Sequence, residues 1–184
     1  MCGIIGYTGK GDAPGIMLDA LELLEYRGYD SAGIALLNEG KTQIVKCAGR
    51  VKDLRTLCAE GKPVGHCGIG HTRWATHGGV CDENAHPHKF YQGDPYSAIR
   101  RTVLKLKGTF ALAIMFDDQP DQIFAVRNVS PIVAAIVPFT SDYFVMPEFH
   151  VVCLKPDGVE MFDLSGDKAE IEWQKVDWDV SVSA

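Results

Sequence analysis

The sequence predicts an α+β fold in which helices pack on sheets. Two long helical patterns, with a shorter one between them, lie in a chain that otherwise resembles short strands separated by turns. The strand-like segments are grouped before residue 73 and after residue 108 rather than alternating one by one with helices. With 184 residues and 46% hydrophobic content, the chain can bury one substantial core, so we expect a single domain over residues 1–184.

The chain begins with a strand and a helix. Residues 3–7 form an apolar run next to the terminus, which predicts a buried strand that holds the start of the chain inside the fold. Asp12 is a suitable N-cap, and Pro14 suits the first turn of a helix. Apolar residues then keep helical spacing until Gly28, where the helix can end.

A hairpin, a short helix and another strand come next. Residues 32–37 and 42–47 are apolar runs separated by Asn, Glu and Gly, which predicts a hairpin with a glycine turn. Residues 51–60 have the spacing of a short helix, and residues 68–72 have the composition of a strand. We expect the polar stretch that follows, rich in His, Gly and Asn, to be a long loop.

A second long helix precedes the strand-rich half of the chain. Residues 95–107 carry apolar side chains at helical spacing, and Gly108 is placed to stop the helix. Strands are predicted at residues 109–116, 122–127, 132–137, 149–154 and 159–162. Turn-forming residues separate several of these strands, so the second half should be a set of antiparallel pairs.

The composition argues against nucleic-acid and membrane partners. The formal net charge is −6 and the pI is about 5.5, whereas phosphate backbones are bound by clustered Lys and Arg. No apolar run approaches the ~18 residues of a membrane-spanning helix. Six cysteines without a secretory signal favour free thiols in a reducing cytoplasm.

Cys2 is the strongest candidate for a reactive residue. A free thiol has a pKa of about 8.5, so a catalytic cysteine needs a neighbouring base or positive charge. If Met1 is removed, the α-amino group of Cys2 itself, with a pKa of about 7.7–8.0, becomes that base. Taken by position alone, Cys2 is better explained as a small apolar residue, so the interpretation depends on what surrounds it.

Four blocks of sequence carry a resemblance to a known family. They cover residues 1–7, 24–33, 70–78 and 84–88, with the sequences MCGIIGY, LEYRGYDSAG, GHTRWATHG and NAHPH. In this order they resemble the glutaminase domain of the glutamine:fructose-6-phosphate amidotransferases, which are class II glutamine amidotransferases. Weaker similarity extends through most of the remaining chain.

The resemblance implies a fold and a reaction. The fold is the four-layer αββα sandwich of N-terminal-nucleophile hydrolases, here with part of the sandwich missing. Cys2 is expected to attack the side-chain amide of L-glutamine, release ammonia through a thioester and finish by hydrolysis to glutamate. The resemblance implies no cofactor and no metal. It places sugar isomerase domains in the same chain in relatives, and it leaves room for a homo-oligomer.

The resemblance also implies roles for individual residues. Arg73 matches the residue that holds the substrate carboxylate, and Trp74, Thr76 and His77 line the same pocket. Gly3 lies where the backbone must pass closely. Arg27 matches a supporting position near the nucleophile, although a structural salt bridge explains this arginine equally well. These residues complete the predicted site: Cys2, Gly3, Arg27, Arg73, Trp74, Thr76 and His77.

The sequence departs from the family at two points. Between His88 and Pro95 it lacks the stretch in which relatives carry an Asn-Gly pair for the oxyanion hole and an aspartate for the substrate amine. A shorter gap is expected between Ile136 and Val137. The loss of one oxyanion donor costs on the order of a hundredfold in rate, so the activity of this chain is in question.

Three other interpretations remain open. A metal site built from His71, His77, His86 and His88 lacks the paired spacings of zinc ligands. Another class II amidotransferase, serving phosphoribosylamine or asparagine synthesis, is disfavoured by residues 72–77. The last is a catalytically dead fragment that binds partners, which would follow from the missing oxyanion element and from exposed strand edges.

Overall fold

The computed structural model describes residues 2–76, 78–89, 94–135 and 142–175. Its first sheet has four antiparallel strands in the order β1-β4-β2-β3. Their bounds are Gly3–Thr8 for β1, Ser31–Asn38 for β2, Lys41–Ala48 for β3 and Cys67–Arg73 for β4. All four predicted strands of this half are therefore confirmed, and β1 does hold the start of the chain inside the fold.

The second half of the chain forms two further sheets. A five-stranded sheet has the order β11-β10-β9-β6-β5, and a three-stranded sheet has the order β12-β8-β7. The bounds are Phe110–Ile114 (β5), Ile123–Asn128 (β6), Val133–Ala135 (β7), Asp142–Val145 (β8), Val151–Lys155 (β9), Gly158–Phe162 (β10), Lys168–Ala169 (β11) and Gln174–Lys175 (β12). All pairs in both sheets are antiparallel, as the turns predicted.

Three α-helices are present in the described residues: α1 at Ala13–Leu24, α2 at Val51–Gly61 and α3 at Pro95–Val103. Asp12 caps α1 as predicted, because its carboxylate accepts a hydrogen bond from the Gly15 amide at 3.1 Å. A 3-10 turn at Glu25–Arg27 continues the chain to Gly28. No helix in the described part of the chain is long and apolar enough to span a bilayer.

The core is arranged in four layers. On one face of the first sheet, α1 and α2 bury Met17, Leu21 and Leu54 against the strands. The opposite face meets the five-stranded sheet, where Cys67 and Ile123 are fully buried together. On the far side of that sheet, α3 buries residues of its own against the strands: Ile99 and Val103 pack with Phe124, Val126, Val151 and Cys153. The predicted α+β fold with αββα layers is confirmed.

The hairpin turn shows how closely local sequence determines this fold. Glu39 and Gly40, which join β2 to β3, have φ angles of 49° and 72°. Two consecutive residues with positive φ make the tight turn that matches the twist of a hairpin. The predicted glycine turn is therefore confirmed, with β2 and β3 each one residue longer at both ends than the sequence indicated.

Helix α3 and three strands differ from the prediction, and two of these strands, the two-residue β11 and β12, have no predicted counterpart. The helix predicted over residues 95–107 ends at Val103, because the buried side of α3 ends there while Leu104 and Leu106 lie in solvent, 66% and 41% exposed. Strand β8 was not predicted. Only one of its four residues, Phe144, is buried, so its sequence lacks the sustained apolar pattern of a strand.

Candidate active site

Cys2 lies at the start of β1, an edge strand of the first sheet. It directly precedes β1, whose first residue pairs with Thr72 of β4. Its side chain is exposed, and its Sγ atom lies 3.9 Å from the carbonyl oxygen of Trp74. The turn after β4 therefore runs directly beside the thiol, which brings together two of the blocks from which the site was predicted.

Two glycines allow this close approach. A Cβ atom on Gly3 would lie 2.7 Å from Thr72 Oγ1 and 3.0 Å from Leu24 Cβ. A Cβ atom on Gly28 would lie 2.7 Å from the carbonyl carbon of Arg73 and 2.8 Å from the amide nitrogen of Trp74. Both spacings are shorter than a side chain can tolerate, so the Arg73–Trp74 backbone depends on Gly28 for its position, and Thr72 and Leu24 can lie this close to β1 because of Gly3.

Arg73 is the charged group beneath the site. It is 8% exposed, and its Nη1 donates a hydrogen bond to the carbonyl oxygen of Gly79 at 3.2 Å. Its own carbonyl accepts from the Asp30 amide at 3.0 Å. Because strand side chains alternate, Arg73 shares its face of β4 with Cys67, the face that is turned away from α1 and α2.

Asp30 fixes the turn that passes the thiol. Its carboxylate accepts a hydrogen bond from the Ala75 amide at 2.7 Å. A charged acceptor makes such a bond shorter and stronger than a neutral one. Asp30 lies within one of the four blocks that carry the resemblance but was not predicted to have a role; its position just before a buried strand is the signal that could have indicated one.

The remaining predicted residues surround this turn. Trp74 is 42% exposed, and its ring makes an edge contact with Tyr29 at 5.2 Å between centroids. Thr76 is exposed, and His77 lies outside the described residues. Arg27 is half-buried in the 3-10 turn and contacts Tyr26, with 3.5 Å from its Nη1 to the phenol oxygen.

A segment of residues 78–88, here called the covering segment, lies over the same face of the first sheet. Lys46 Nζ donates to the carbonyl of Ala85 at 2.7 Å, and Gly33 lies so close to the carbonyl oxygen of His86 that a Cβ atom there would overlap it. Together with the bond from Arg73 to Gly79, these contacts seat the segment on β2, β3 and β4. Sequence analysis predicted a long polar loop here but not that it packs on the sheet.

Three imidazoles contact one another between β4 and the covering segment, in a group here called the stack although one pair is tilted and the other meets edge to face. The ring centroids of His71 and His86 are 4.4 Å apart, and those of His86 and His88 are 4.6 Å apart. Burial lowers the pKa of His71 from 6.5 to about 3, with further contributions from His86, Arg73 and His88. Burial also lowers the pKa values of His86 and His88, so the stack is neutral at physiological pH.

Residues 2–76, 78–89, 94–135 and 142–175 contain no set of side chains that supports the alternative of a metal site. No three His, Cys, Asp or Glu side chains are grouped there in a way that could hold an ion. His77, one of the four histidines considered for that site, lies outside these ranges.

Comparison with known proteins gives both sequence relatives and structural neighbours. No family profile matches the chain. Proteins named glutamine–fructose-6-phosphate aminotransferase (isomerizing) match all or nearly all of it. The one from Clostridium acetobutylicum is 33% identical over 243 aligned positions, and the one from Symbiobacterium thermophilum is 34% identical over 239. The chain covers 40% and 39% of these two relatives, and therefore spans about two fifths of their length.

Solved structures show the fold independently. Glutamine phosphoribosylpyrophosphate amidotransferase from B. subtilis, complexed with ADP and GMP, superposes with a TM-score of 0.70 at 16% identity. The match covers 91% of this chain and 50% of that one. A second structure, described as the allosteric regulatory enzyme of purine biosynthesis, gives a TM-score of 0.73 at 16% identity, covering 89% of this chain and 49% of its own. Both likenesses concern the fold.

The alignment lengths bear on the predicted gaps. All 184 residues of the chain align with the Clostridium acetobutylicum relative over 243 positions, so the relative carries many residues opposite gaps in this chain. Residues 90–93 and 136–141, where the two gaps are expected, lie outside the described residues.

Proposed function

We propose that this chain, a homologue of the N-terminal part of the glutamine–fructose-6-phosphate aminotransferases, hydrolyses L-glutamine with Cys2 as nucleophile. The observation that carries the proposal is the position of the exposed thiol, 3.9 Å from the carbonyl of Trp74 and beside the strand that ends in the buried Arg73. A nucleophile next to a cationic group suits a substrate that carries both an amide and a carboxylate. We assign residues 1–184 to one glutaminase domain.

The reaction requires the free amino group of Cys2. Once Met1 is removed, this amine takes the thiol proton, and the thiolate attacks the side-chain amide carbon of glutamine. The resulting ammonium returns the proton to the leaving nitrogen, so ammonia departs and a thioester remains. Water, deprotonated by the same amine, then attacks the thioester to give glutamate and the free thiol.

Arg73 is proposed to bind the α-carboxylate of glutamine. Its guanidinium already donates to a neutral carbonyl, that of Gly79 at 3.2 Å. A carboxylate accepts stronger hydrogen bonds from a guanidinium than a carbonyl does, and can accept two in parallel. Substrate binding would therefore exchange the bond to the covering segment for a charge-assisted pair. Trp74, Thr76 and His77 are proposed to line the pocket, with Gly3 and Arg27 supporting it.

The rate is expected to be low. By resemblance, the Asn-Gly pair that stabilises the tetrahedral oxyanion falls in the stretch missing between His88 and Pro95. Without a donor aimed at that oxygen the transition state loses roughly 3–4 kcal/mol of stabilisation. The aspartate that binds the α-amino group is missing in the same stretch, which should raise the KM for glutamine.

We assign transfer of ammonia to a sugar to the part of the relatives that lies beyond the matched region. Their name describes an isomerizing transfer to fructose 6-phosphate, and the matched region is 40% of the Clostridium acetobutylicum protein. The sugar isomerase domains would be the partners of this domain. The cytoplasm is the proposed location, because all six cysteines of the chain are free thiols.

A glutamate-release assay tests the proposed function. Protein with Met1 removed, verified by intact mass, should release glutamate from glutamine above the background of the Cys2→Ala variant. Equal release by the two proteins would contradict the proposal and favour the alternative of a catalytically dead fragment.

A further inference from the structure

The covering segment, residues 78–88, is tied to strand β3 by two hydrogen bonds. Lys46 Nζ donates to the carbonyl of Ala85 at 2.7 Å. The amide of Ala48 donates to the carboxylate of Asp82 at 2.6 Å. Both bonds join a side chain to a backbone group, and within the described residues no backbone ladder joins the segment to the sheet. The segment can therefore separate from the sheet while the strands keep their pairing.

Buried polar atoms without a hydrogen-bond partner in the described part of the chain lie under this segment. They include His71 Nδ1, His86 Nδ1 and Ser31 Oγ. Ser31 pairs with Arg73, and His71 lies two residues before Arg73, so these side chains share the covered face of the sheet. An imidazolium carries a proton on both ring nitrogens. Protonation of His71 or His86 would thus create a buried N–H donor that faces no acceptor.

The charged groups that act on the three imidazoles are cations. Arg73 of β4 lowers the pKa values of His71, His86 and His88, in each case after burial, and Lys46 of β3 lowers those of His86 and His88. The rings also oppose one another's protonation, because their centroids are only 4.4 Å and 4.6 Å apart. A proton on any ring of the closed stack is therefore repelled from two strands.

The carboxylates on and around the covering segment have other partners or face solvent. Asp82 accepts from an amide of β3, and Asp30 accepts from an amide of the turn after β4. Asp117 pairs with Lys89 at 2.9 Å, and Glu83 is exposed. Strand β2 contributes no charged residue to the covered face. None of these carboxylates is placed to stabilise an imidazolium in the stack.

We propose that the covering segment is an acid-sensitive flap: protonation of the stack releases residues 78–88 from β3 and β4, while the sheet beneath them stays folded. In the open form, His86 and His88 enter water and His71 loses its cover, so each can take up a proton near the ordinary histidine pKa of about 6.5. The closed form excludes these protons. Falling pH therefore favours opening below about pH 6.5 and has little effect above it.

Opening also changes the surroundings of Arg73. The hydrogen bond from its Nη1 to the carbonyl of Gly79, 3.2 Å long, is lost when the segment leaves the sheet. The guanidinium then becomes more accessible to an anion, which is the group that the proposed function assigns to it. The opening is measured on the protein without substrate, so it can hold or fail independently of the proposed glutamine hydrolysis.

Amide hydrogen exchange, followed by NMR, tests the proposal. The Ala85 amide is bonded inside the segment, to the carbonyls of Cys81 and Asp82 at 3.2 Å, and the Ala48 amide is bonded to the segment from β3. From pH 7.5 to pH 5.5, and relative to the intrinsic exchange rate at each pH, the protection of both amides should fall about tenfold to a hundredfold. His71 and His86 supply up to about tenfold each.

Low concentrations of urea distinguish this opening from global unfolding. A local opening exposes little surface, so exchange at Ala85 and Ala48 should not depend on urea. Amides in the core, such as that of Val126 in β6, exchange through larger openings and should accelerate with urea. This comparison uses the unmodified chain and does not depend on any variant.

His71→Gln supplies the matched variant. Glutamine does not titrate in this range, so the fall in protection should become about tenfold smaller. His66→Gln, at an exposed histidine outside the stack, is the control and should leave the fall unchanged. Circular dichroism checks that the variants are folded, and His86→Gln carries the same test if His71→Gln does not fold.

Three results would overturn the proposal. The first is protection at Ala85 and Ala48 that stays constant between pH 7.5 and pH 5.5. The second is a fall in protection at these amides that depends on urea as strongly as exchange in the core does. The third is a fall of the same size in the folded stack variant and in His66→Gln.

Discussion

At the scale of single residues, the guanidinium of Arg73 is the feature that most constrains the function. A charge that is only 8% exposed is costly to bury, and Arg73 nevertheless lies at the end of β4, directly before Trp74, whose carbonyl oxygen is 3.9 Å from the exposed thiol. Its contact with Gly79 ties it to the covering segment rather than to the sheet alone. Such a residue can serve both to hold the loop and to bind an anionic group.

Arg73→Lys tests whether substrate binding needs the planar guanidinium or only a positive charge at this position. Lysine keeps the positive charge but loses the planar fork, so the KM for glutamine should rise about tenfold or more while kcat changes less. Arg55→Lys is the control, because Arg55 is a surface guanidinium that pairs with Asp19 at 2.9 Å. Glutamate release measured over a range of glutamine concentrations gives both constants. An unchanged KM would exclude Arg73 from substrate binding.

His71 predicts how stability depends on pH. An imidazole in the unfolded chain takes up a proton near pH 6.5, whereas folded His71 stays neutral down to about pH 3. The unfolded state therefore binds more protons in this window, and the free energy of unfolding should fall as the pH drops below about 6.5.

His71→Gln should flatten that dependence. The lost slope approaches about 1.4 kcal/mol per pH unit, measured by urea unfolding between about pH 7 and pH 5, above the range in which most carboxylates titrate. His66→Gln, at an exposed histidine outside the stack, is the control. If His71→Gln left the slope as steep as in the parent chain, the neutral buried imidazole would not be its cause.

At the scale of elements, the chain just before β2 packs against the turn between β4 and the covering segment and holds that turn in place. Gly28 lies there, with space for no Cβ atom because the backbone of Arg73 and Trp74 is 2.7–2.8 Å from where it would be. Backbone atoms cannot rotate away as a flexible side chain can. The site geometry therefore requires this glycine for reasons of space.

Gly28→Ala is expected to destabilise the protein by about 2 kcal/mol or more, because overpacking typically costs about 1–3 kcal/mol and occasionally more. Gly61→Ala, at the last residue of α2, is the control. A Cβ atom there meets nothing within 4 Å, and alanine is a better helix former than glycine, so this variant should not lose stability. Denaturant unfolding of the two variants measures the difference. Equal stabilities would show that the backbone contact at Gly28 relaxes without cost.

The elements that sequence reasoning predicted well are those with local signals. Asp12 at the start of α1 and the positive-φ pair Glu39 and Gly40 between β2 and β3 determine their structures within a few residues. The end of α3 and the existence of β8 depend instead on what lies across the core. Leu104 keeps helical spacing in the sequence but finds no surface to pack against, and no local pattern reveals that.

The candidate site likewise combines residues that the sequence could reveal with contacts that it could not. Cys2 and Arg73 could be predicted because whole blocks of sequence resemble a family. The carboxylate of Asp30 that holds Ala75, and the seating of the covering segment by Lys46, join residues that are 45 and 39 positions apart. Contacts of that kind follow from the fold, and the resemblance carried no information about them.

At the scale of the whole molecule, the question is how much of a glutaminase this shortened sandwich retains. Its four layers and its agreement with amidotransferase structures, at TM-scores of 0.70 and 0.73, show that the architecture survives the shorter length. Under the proposed function the activity is a separate matter, because the fold positions the thiol, whereas the resemblance places the oxyanion donors in a stretch that this chain is expected to lack. Architecture and rate should therefore be separable by experiment.

Restoring the missing stretch provides that experiment. The variant carries, between Lys89 and Asp94, the segment of the Clostridium acetobutylicum relative that aligns with the missing stretch. This insertion should raise kcat for glutamine hydrolysis about a hundredfold or more, as expected for an oxyanion donor. The same segment with its Asn-Gly pair changed to Ala-Ala is the control. A gain of equal size from both insertions would mean that the segment acts through stability rather than through the oxyanion.

The most direct measurement is covalent labelling of the thiol by an electrophilic glutamine analogue, followed by peptide mass spectrometry. In protein from which Met1 has been removed, the account predicts one adduct per chain, on Cys2, formed faster than on Cys81 and suppressed by excess glutamine. Labelling that is spread over the accessible cysteines, or that proceeds equally fast while Met1 is retained, would contradict the claim that the amine of Cys2 activates its own thiol.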